Sequence, residues 1–210
     1  MSGSATDLAG NLASGTVTIN LDQVPPEAFI QFDPTSKDVV LFGRDSLSGV
    51  APGPVTPISV QSLLDNNNDD RDKDDKRRDE DDRRAEIRTY QVFDLAGNSL
   101  MLVAEVRKHE ESETVRLVSV QYNGGAVVSL PRNEETFEWN FDRDGTLKVL
   151  HQNLTESFGN DSQQWDAEYE SRRGTTTIER ESPKPKQKTI VSGVDLLRAA
   201  TSKGQLLIEH

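Results

Sequence analysis

The chain has 210 residues, a formal net charge of −12 and no cysteine. The acidic balance argues against a nucleic-acid partner, because no basic surface would neutralise phosphates, and against adsorption to an anionic membrane. The lack of cysteine excludes disulfides, thiol catalysis and cysteine-based zinc sites. Hydrophobic residues make up only 33% of the chain, so we expect part of it to remain outside a packed core.

The start of the chain, Met1-Ser2-Gly3-Ser4, lacks the basic and apolar regions of a signal peptide. No apolar run approaches the roughly 18 residues that span a bilayer, so we expect no membrane insertion. We expect an internal segment of a longer protein. Secreted eukaryotic domains of this size often carry disulfides, so a bacterial or archaeal protein, extracellular or at the cell surface, fits better.

Short alternating or apolar stretches separated by turn signals predict β-strands in the first half of the chain. Residues 16–21 alternate strictly, and Pro25-Pro26 ends this strand because neither residue can donate to a ladder. Pro57 indicates an edge strand or a bulge. The remaining strands are predicted at 27–32, 39–42, 55–64, 87–93 and 100–106.

Hairpins dominate the second half. The turn Asn123-Gly124-Gly125 follows a strand at 115–122, and 182–188 is a Pro/Lys linker. No window of a dozen residues shows helical periodicity, although 194–200 is open to one helical turn or a strand. The fold class is therefore all-β, a sandwich or barrel. Further turns are predicted at 142–145, 172–174 and 202–204.

The pentapeptide Asp-Leu-Ala-Gly-Asn occurs twice, at 7–11 and at 94–98. Glycine and asparagine tolerate positive φ and aspartate caps its own turn, so each copy predicts a tight turn that enters a strand. The residues that carry this turn chemistry are Asp7, Gly10, Asn11, Asp94, Gly97 and Asn98.

Together with the strand at 16–21, Asp22 and Pro25-Pro26, these turns resemble the closing hairpins of bacterial immunoglobulin-like repeats in surface proteins. The resemblance covers residues 5–110. It implies an immunoglobulin-like β-sandwich and a tyrosine-corner role for Tyr90, whose hydroxyl would bond to backbone upstream. The second copy departs from the pattern, because no Pro-Pro follows it.

Three units are predicted on this basis. Residues 1–24 are terminal strands of a preceding immunoglobulin-like repeat or a donated strand. Residues 25–110 are an immunoglobulin-like β-sandwich with a disordered charged insertion at 65–84. Residues 111–210 form an antiparallel β meander or small sandwich.

The charged insertion at 65–84 holds ten acids and seven bases. Clustered carboxylates can hold calcium, the one cofactor we consider. However, the central glycine and terminal glutamate of an EF-hand are missing, and the interleaved bases compete for the carboxylates. We favour a solvated loop. The candidate calcium ligands are Asp65, Asp69, Asp70, Asp72, Asp74 and Asp75.

Other acids lie near predicted strand ends, where they either cap turns or hold calcium at a domain junction. The adjacent pair Glu134-Glu135 is expected to be surface charge. Four aromatics alternate with polar residues, which fits a core face better than a sugar-binding platform. The strand-end acids are Asp7, Asp22, Asp33, Asp45 and Asp94, and the aromatics are Tyr122, Trp139, Trp165 and Tyr169.

The sequence carries no catalytic signature. Nucleophile-elbow, phosphate-loop and dinucleotide-binding patterns are missing, and His109, His151 and His210 lack the spacing of a helical metal pair. We therefore expect a non-catalytic structural or adhesion-type module with neighbouring domains as partners. The alternatives are a carbohydrate- or protein-binding accessory module of a secreted enzyme, a calcium-rigidified linker, and an enzyme of unrecognised type.

Overall fold

A computed structural model describes residues 2–16, 21–63, 85–158, 161–182, 185–194, 198–202 and 205–209. All elements among these residues are β-strands, and the paired strands are antiparallel. The predicted all-β class is therefore confirmed. This described part contains no helix long and apolar enough to cross a bilayer.

The strands fall into three sheets. They are β1 (Ser2–Thr6), β2 (Leu12–Thr16), β3 (Glu27–Asp33), β4 (Asp38–Arg44), β5 (Pro54–Val55), β6 (Pro57–Leu63), β7 (Ala85–Phe93), β8 (Ser99–Lys108), β9 (Ser112–Tyr122), β10 (Val127–Ser129), β11 (Arg132–Phe141), β12 (Leu147–Phe158), β13 (Asp161–Glu170), β14 (Thr175–Ser182), β15 (Gln187–Ser192), β16 (Arg198–Ser202) and β17 (Gln205–Glu209).

The largest sheet has ten strands in the order β15-β14-β13-β12-β11-β9-β8-β7-β6, with β10 beside β9. A second sheet has the order β17-β16-β3-β4-β5, and β1 and β2 pair with each other. Pro57 lies in the edge strand β6, where the register shifts before Ser59. Both features predicted from this proline are therefore confirmed.

The second sheet packs on one face of the large sheet. Strand β3 alternates between buried and half-buried positions, so its apolar face meets the large sheet. Phe32 of β3 stacks on Trp139 of β11 with ring centroids 4.8 Å apart. Ile30 and Leu41 join Leu102 in the same buried cluster. Burial of each such side chain contributes about 1.5–3 kcal/mol.

The boundary predicted between 110 and 111 falls in the loop between β8 and β9. These strands pair from Leu100 opposite Tyr122 to Lys108 opposite Glu113. In the structure the second and third predicted units consequently share a sheet and a core. The division of the chain into these units remains a prediction.

Two expectations are wrong. The linker predicted at 182–188 is too long, because Gln187 and Lys188 begin β15 and pair with Arg180 and Glu179. Glu135 is 2% exposed rather than surface charge, because alternation along β11 turns it towards the core face.

Two other expectations, for residues 194–200 and 16–21, are tested only in part by the described residues. The stretch at 194–200 includes the first residues of strand β16. For the strand predicted at 16–21, residues 17–20 lie outside the described residues, and Leu21 lies outside the strands.

Candidate metal centre at the N-terminal junction

The two Asp-Leu-Ala-Gly-Asn copies fold as the same turn. In the first copy, Asp7 Oδ1 accepts the backbone N–H groups of Ala9 and Asn11, each at 2.9 Å. The Asn11 side-chain amide donates to Asp7 Oδ2 at 2.8 Å. Gly10 has a φ of 87°, in the region that favours glycine.

The second copy repeats the two bonds that its asparagine makes to its aspartate. Asp94 Oδ1 accepts the backbone N–H of Asn98, and Asp94 Oδ2 accepts its side-chain amide, both at 2.7 Å. Gly97 has a φ of 91°. The copies differ in their surroundings, because every residue of the first turn is exposed whereas Asp94 is 5% exposed.

Asp94 and Asn98 of the second turn are shielded because two other segments pack against them, whereas residues 95–97 are exposed. The Asn98 amide also donates to the Asp22 carbonyl at 3.1 Å. The Leu95 N–H donates to the Gly49 carbonyl at 2.9 Å. The turn at 94–98 therefore meets the segment 21–26 and the loop 45–49 at one end of the sandwich.

The loop 45–49 folds around its own aspartate. Asp45 Oδ1 accepts the backbone N–H groups of Leu47, Ser48 and Gly49 at 2.7–3.0 Å. Burial works to raise the pKa of Asp45, but these N–H donors outweigh it and hold the pKa below its ordinary value. Asp45 is consequently ionised at neutral pH.

Asp22 connects this loop to the segment 21–26. Its Oδ1 accepts the Val24 N–H at 2.9 Å, and its Oδ2 accepts the Ser48 N–H at 3.1 Å. One carboxylate therefore caps its own turn and holds a loop 26 residues further along the chain.

Three carboxylates converge where these segments meet, and we call them the junction triad. Asp22, Asp45 and Asp94 each offer an oxygen, and these oxygens lie within 4.8 Å of one another. Carboxylate oxygens are the ligands that calcium prefers in proteins. The triad is therefore a candidate calcium centre.

The other acids considered as ligands lie elsewhere. Asp33 caps its own turn through the N–H of Thr35 and the hydroxyl of Ser36, both at 2.9 Å, and Asp7 does the same in the first copy. The acids of the charged insertion lie outside the described residues: Asp65, Asp69, Asp70, Asp72, Asp74 and Asp75.

The strand-end positions of Asp22, Asp45 and Asp94 were visible in the sequence, but their convergence was not. The local sequence predicts that each aspartate caps a turn, and the hydrogen bonds confirm this for all three. No local pattern states which loops meet at one end of a sandwich, because that depends on how the sheets pack.

Tyr90 is buried on β7, where its hydroxyl interacts with the Arg88 guanidinium. Its tyrosine-corner role remains a prediction. The four aromatics considered as a sugar platform are partly buried and pack against the core: Tyr122, Trp139, Trp165 and Tyr169.

Comparison of the chain with protein-family models, curated proteins and solved structures found no match. The resemblance to bacterial immunoglobulin-like repeats therefore remains a prediction that rests on the two turns and the Pro-Pro junction.

Proposed function

We propose that the chain is a non-catalytic structural module of an extracellular or cell-surface protein, in which segment 21–26 holds neighbouring units in a set orientation. The observation that carries this proposal is the pair of bonds made by Asp22. Its carbonyl accepts the Asn98 amide and its carboxylate accepts the Ser48 N–H. Pro25-Pro26 adds stiffness, because each proline ring restricts φ.

The N-terminal hairpin supports this proposal. Strands β1 and β2 are exposed at every position, and an isolated two-stranded hairpin is marginally stable in water. Its turn shares two aspartate bonds with the turn at 94–98, which closes a hairpin of the sandwich. These features fit the closing hairpin of a neighbouring unit, with that unit as the partner.

The experiment is an NMR measurement of backbone order in segment 21–26 of the whole chain. We expect heteronuclear NOE values as high as those of β3 and β4, and lower values after Asn98→Ala. The matched control is Asn11→Ala. It removes the equivalent bond of the first turn, in which the Asn11 amide donates to Asp7 and not to Asp22. Values in the wild type as low as those of a free linker would overturn the proposal.

A calcium-rigidified linker is the second candidate function, and the junction triad favours it. A divalent cation there would offset the repulsion among three carboxylates and join segment 21–26 to two loops. The carbohydrate-binding alternative gains no such support, because the four aromatics pack against the core.

Thermal melts in calcium and in chelator test this second candidate. A ligand at a hundredfold excess over its dissociation constant stabilises the folded state by about 2.7 kcal/mol. We expect calcium to raise the Tm of the wild type and of Asp33→Asn, but not that of Asp45→Asn. A rise that survives Asp45→Asn would place the ion at other acids, such as those of the insertion.

A further inference from the structure

A groove opens on the face of the large sheet that lies away from the second sheet. Strand β9 begins at Ser112, opposite Glu138, whereas β11 continues to Phe141. Beyond Glu138 the neighbour of β11 is therefore the loop before β9, and the Trp139 N–H donates to the Glu111 carbonyl at 2.9 Å. The resulting groove has a volume of about 360 Å³.

The strand register places a histidine between two carboxylates at this groove. His151 of β12 lies opposite Glu138 of β11, and both line the groove with Glu111. His151 Nε2 lies 2.5 Å from Asp166 Oδ1 on β13, and His151 Nδ1 lies 3.7 Å from Glu138 Oε2.

The bond to Asp166 determines what the other ring nitrogen can do. A carboxylate acceptor favours the proton on Nε2, which leaves a lone pair on Nδ1 of the neutral ring. His151 Nδ1 lies 3.7 Å from Glu138 Oε2, which is too long for a hydrogen bond. A histidine oriented by a carboxylate at one nitrogen and open at the other is the usual arrangement in metal sites.

The separation of the two donor atoms fits a small dication. Zinc binds imidazole nitrogen and carboxylate oxygen at about 2.1 Å, so two ligands at a tetrahedral angle lie about 3.4 Å apart. The observed 3.7 Å differs by a few tenths of an ångström, which a small rotation of the exposed Glu138 side chain supplies.

The charge around the groove also favours a cation. Glu138 and Asp166 flank one imidazole, Glu111 lines the same groove, and Glu168 lies opposite His151 on β13. An imidazole nitrogen among the ligands favours zinc and its neighbours in the transition series over calcium or magnesium, which prefer oxygen ligands throughout.

We propose that this groove binds a transition-metal dication of the zinc class. His151 Nδ1 and a Glu138 carboxylate oxygen are the protein ligands, and water fills positions that face the groove. Asp166 is a positioning residue that holds the imidazole through Nε2, and Glu111 lines the groove. The site shares no residue with the junction triad, so a result that contradicts one site does not contradict the other.

Calorimetric titration of the whole chain with zinc chloride tests the proposal. All proteins carry His210→Gln, so that the terminal imidazole does not contribute. We expect one saturable site in this background, its loss after His151→Gln or Glu138→Gln, and affinity weaker by roughly 10- to 100-fold after Asp166→Asn. Matched controls are His109→Gln and Glu134→Gln, which leave the groove intact and should not change the affinity.

The imidazole nitrogen shifts of His151 provide a second readout, which a merely structural role would not move. Zinc should shift Nδ1 and leave Nε2 bonded to Asp166. Equal zinc affinity in His151→Gln, or binding that does not saturate, would mean adventitious binding only. A His151 ring protonated on both nitrogens and unchanged by zinc would mean a simple ionic bridge. Either result would overturn the proposal.

Discussion

The Asn98 side-chain amide donates to the Asp22 backbone carbonyl at 3.1 Å, across 76 residues of sequence. A turn of the large sheet thereby holds the segment that leads into β3 of the second sheet. The same amide bonds to Asp94 Oδ2, so one side chain stabilises its own turn and the junction together.

Replacement of Asn98 by alanine should lower the free energy of unfolding by about 2 kcal/mol. The two hydrogen bonds that the Asn98 amide donates are lost, each with a net contribution of about 0.5–1.5 kcal/mol, together with a long bond of 3.5 Å that its oxygen accepts from Asn123. An oxygen of the buried Asp94 also loses its donor. Urea unfolding measures the change. Asn11→Ala removes the equivalent bond in an exposed turn and should be near neutral, so equal losses in the two variants would contradict the role of the Asp22 contact.

Glu135 should make the protein less stable at alkaline pH. Burial raises the pKa of Glu135 to about 8, although the Gln152 amide donates to it. The folded-state pKa lies above the ordinary value of 4.5. The stability that comes from burying Glu135 in its protonated form is therefore fully present below about pH 4.5, and the free energy of unfolding falls as the pH rises towards 8. The loss is of the order of a few kcal/mol.

Glu135→Gln should remove this part of the pH dependence, because a neutral amide can still accept from Gln152. Urea unfolding at pH 5 and at pH 9 provides the measurement, and the variant should exceed the wild type only at the higher pH. Glu134→Gln on the exposed face is the control. An unchanged pH profile in Glu135→Gln would show that the buried carboxyl is ionised without a penalty.

Glu113 should be required for the packing of the two sheets. It is 1% exposed, and it accepts the Val39 N–H of β4 at 3.2 Å and lies 3.5 Å from the Arg88 guanidinium. Burial raises the pKa of Glu113 to about 8, so the group lost is a neutral buried carboxyl that is hydrogen-bonded across the sheets, and its loss costs about 1–3 kcal/mol. Glu113→Ala should therefore shift the urea midpoint far more than Glu110→Ala, an exposed control before β9. Similar shifts would contradict this assignment.

The Phe32–Trp139 stack should account for a large part of the contact between the sheets. Phe32 is 1% exposed, and truncating a buried phenylalanine to alanine costs about 3–5 kcal/mol. Phe93, which is 54% exposed, is the matched control, and Phe93→Ala should change stability little. Thermal unfolding followed by near-ultraviolet circular dichroism measures both. A small effect of Phe32→Ala would mean that the sheets separate at that contact at little cost.

Several features of this protein were predictable because they depend on neighbours in sequence. The stretch that follows Pro25-Pro26 predicted strand β3, and Asn123-Gly124 predicted the turn after β9, where both residues have positive φ. The aspartate turn at 94–98 likewise needs only its own five residues. Local sterics and local hydrogen bonds decide these elements.

The candidate sites were not predictable in the same way. The sequence marked Asp22, Asp45 and Asp94 as strand-end acids but did not state that their loops meet. The sequence assigned no ligand role to His151, because this residue lacks the spacing of a helical metal pair. Its contacts lie on β11 and β13, which only the strand register brings beside it.

The sequence by itself determined most of the strands and turns and the acidic character of this protein, because these follow from residues within a few positions of one another. Only the tertiary structure decided that β8 and β9 join the two predicted halves in one sheet, and that Glu135 is buried while Glu134 is exposed. The reason is physical, since strand register and sheet packing are set by the burial of apolar faces formed from residues far apart in the chain.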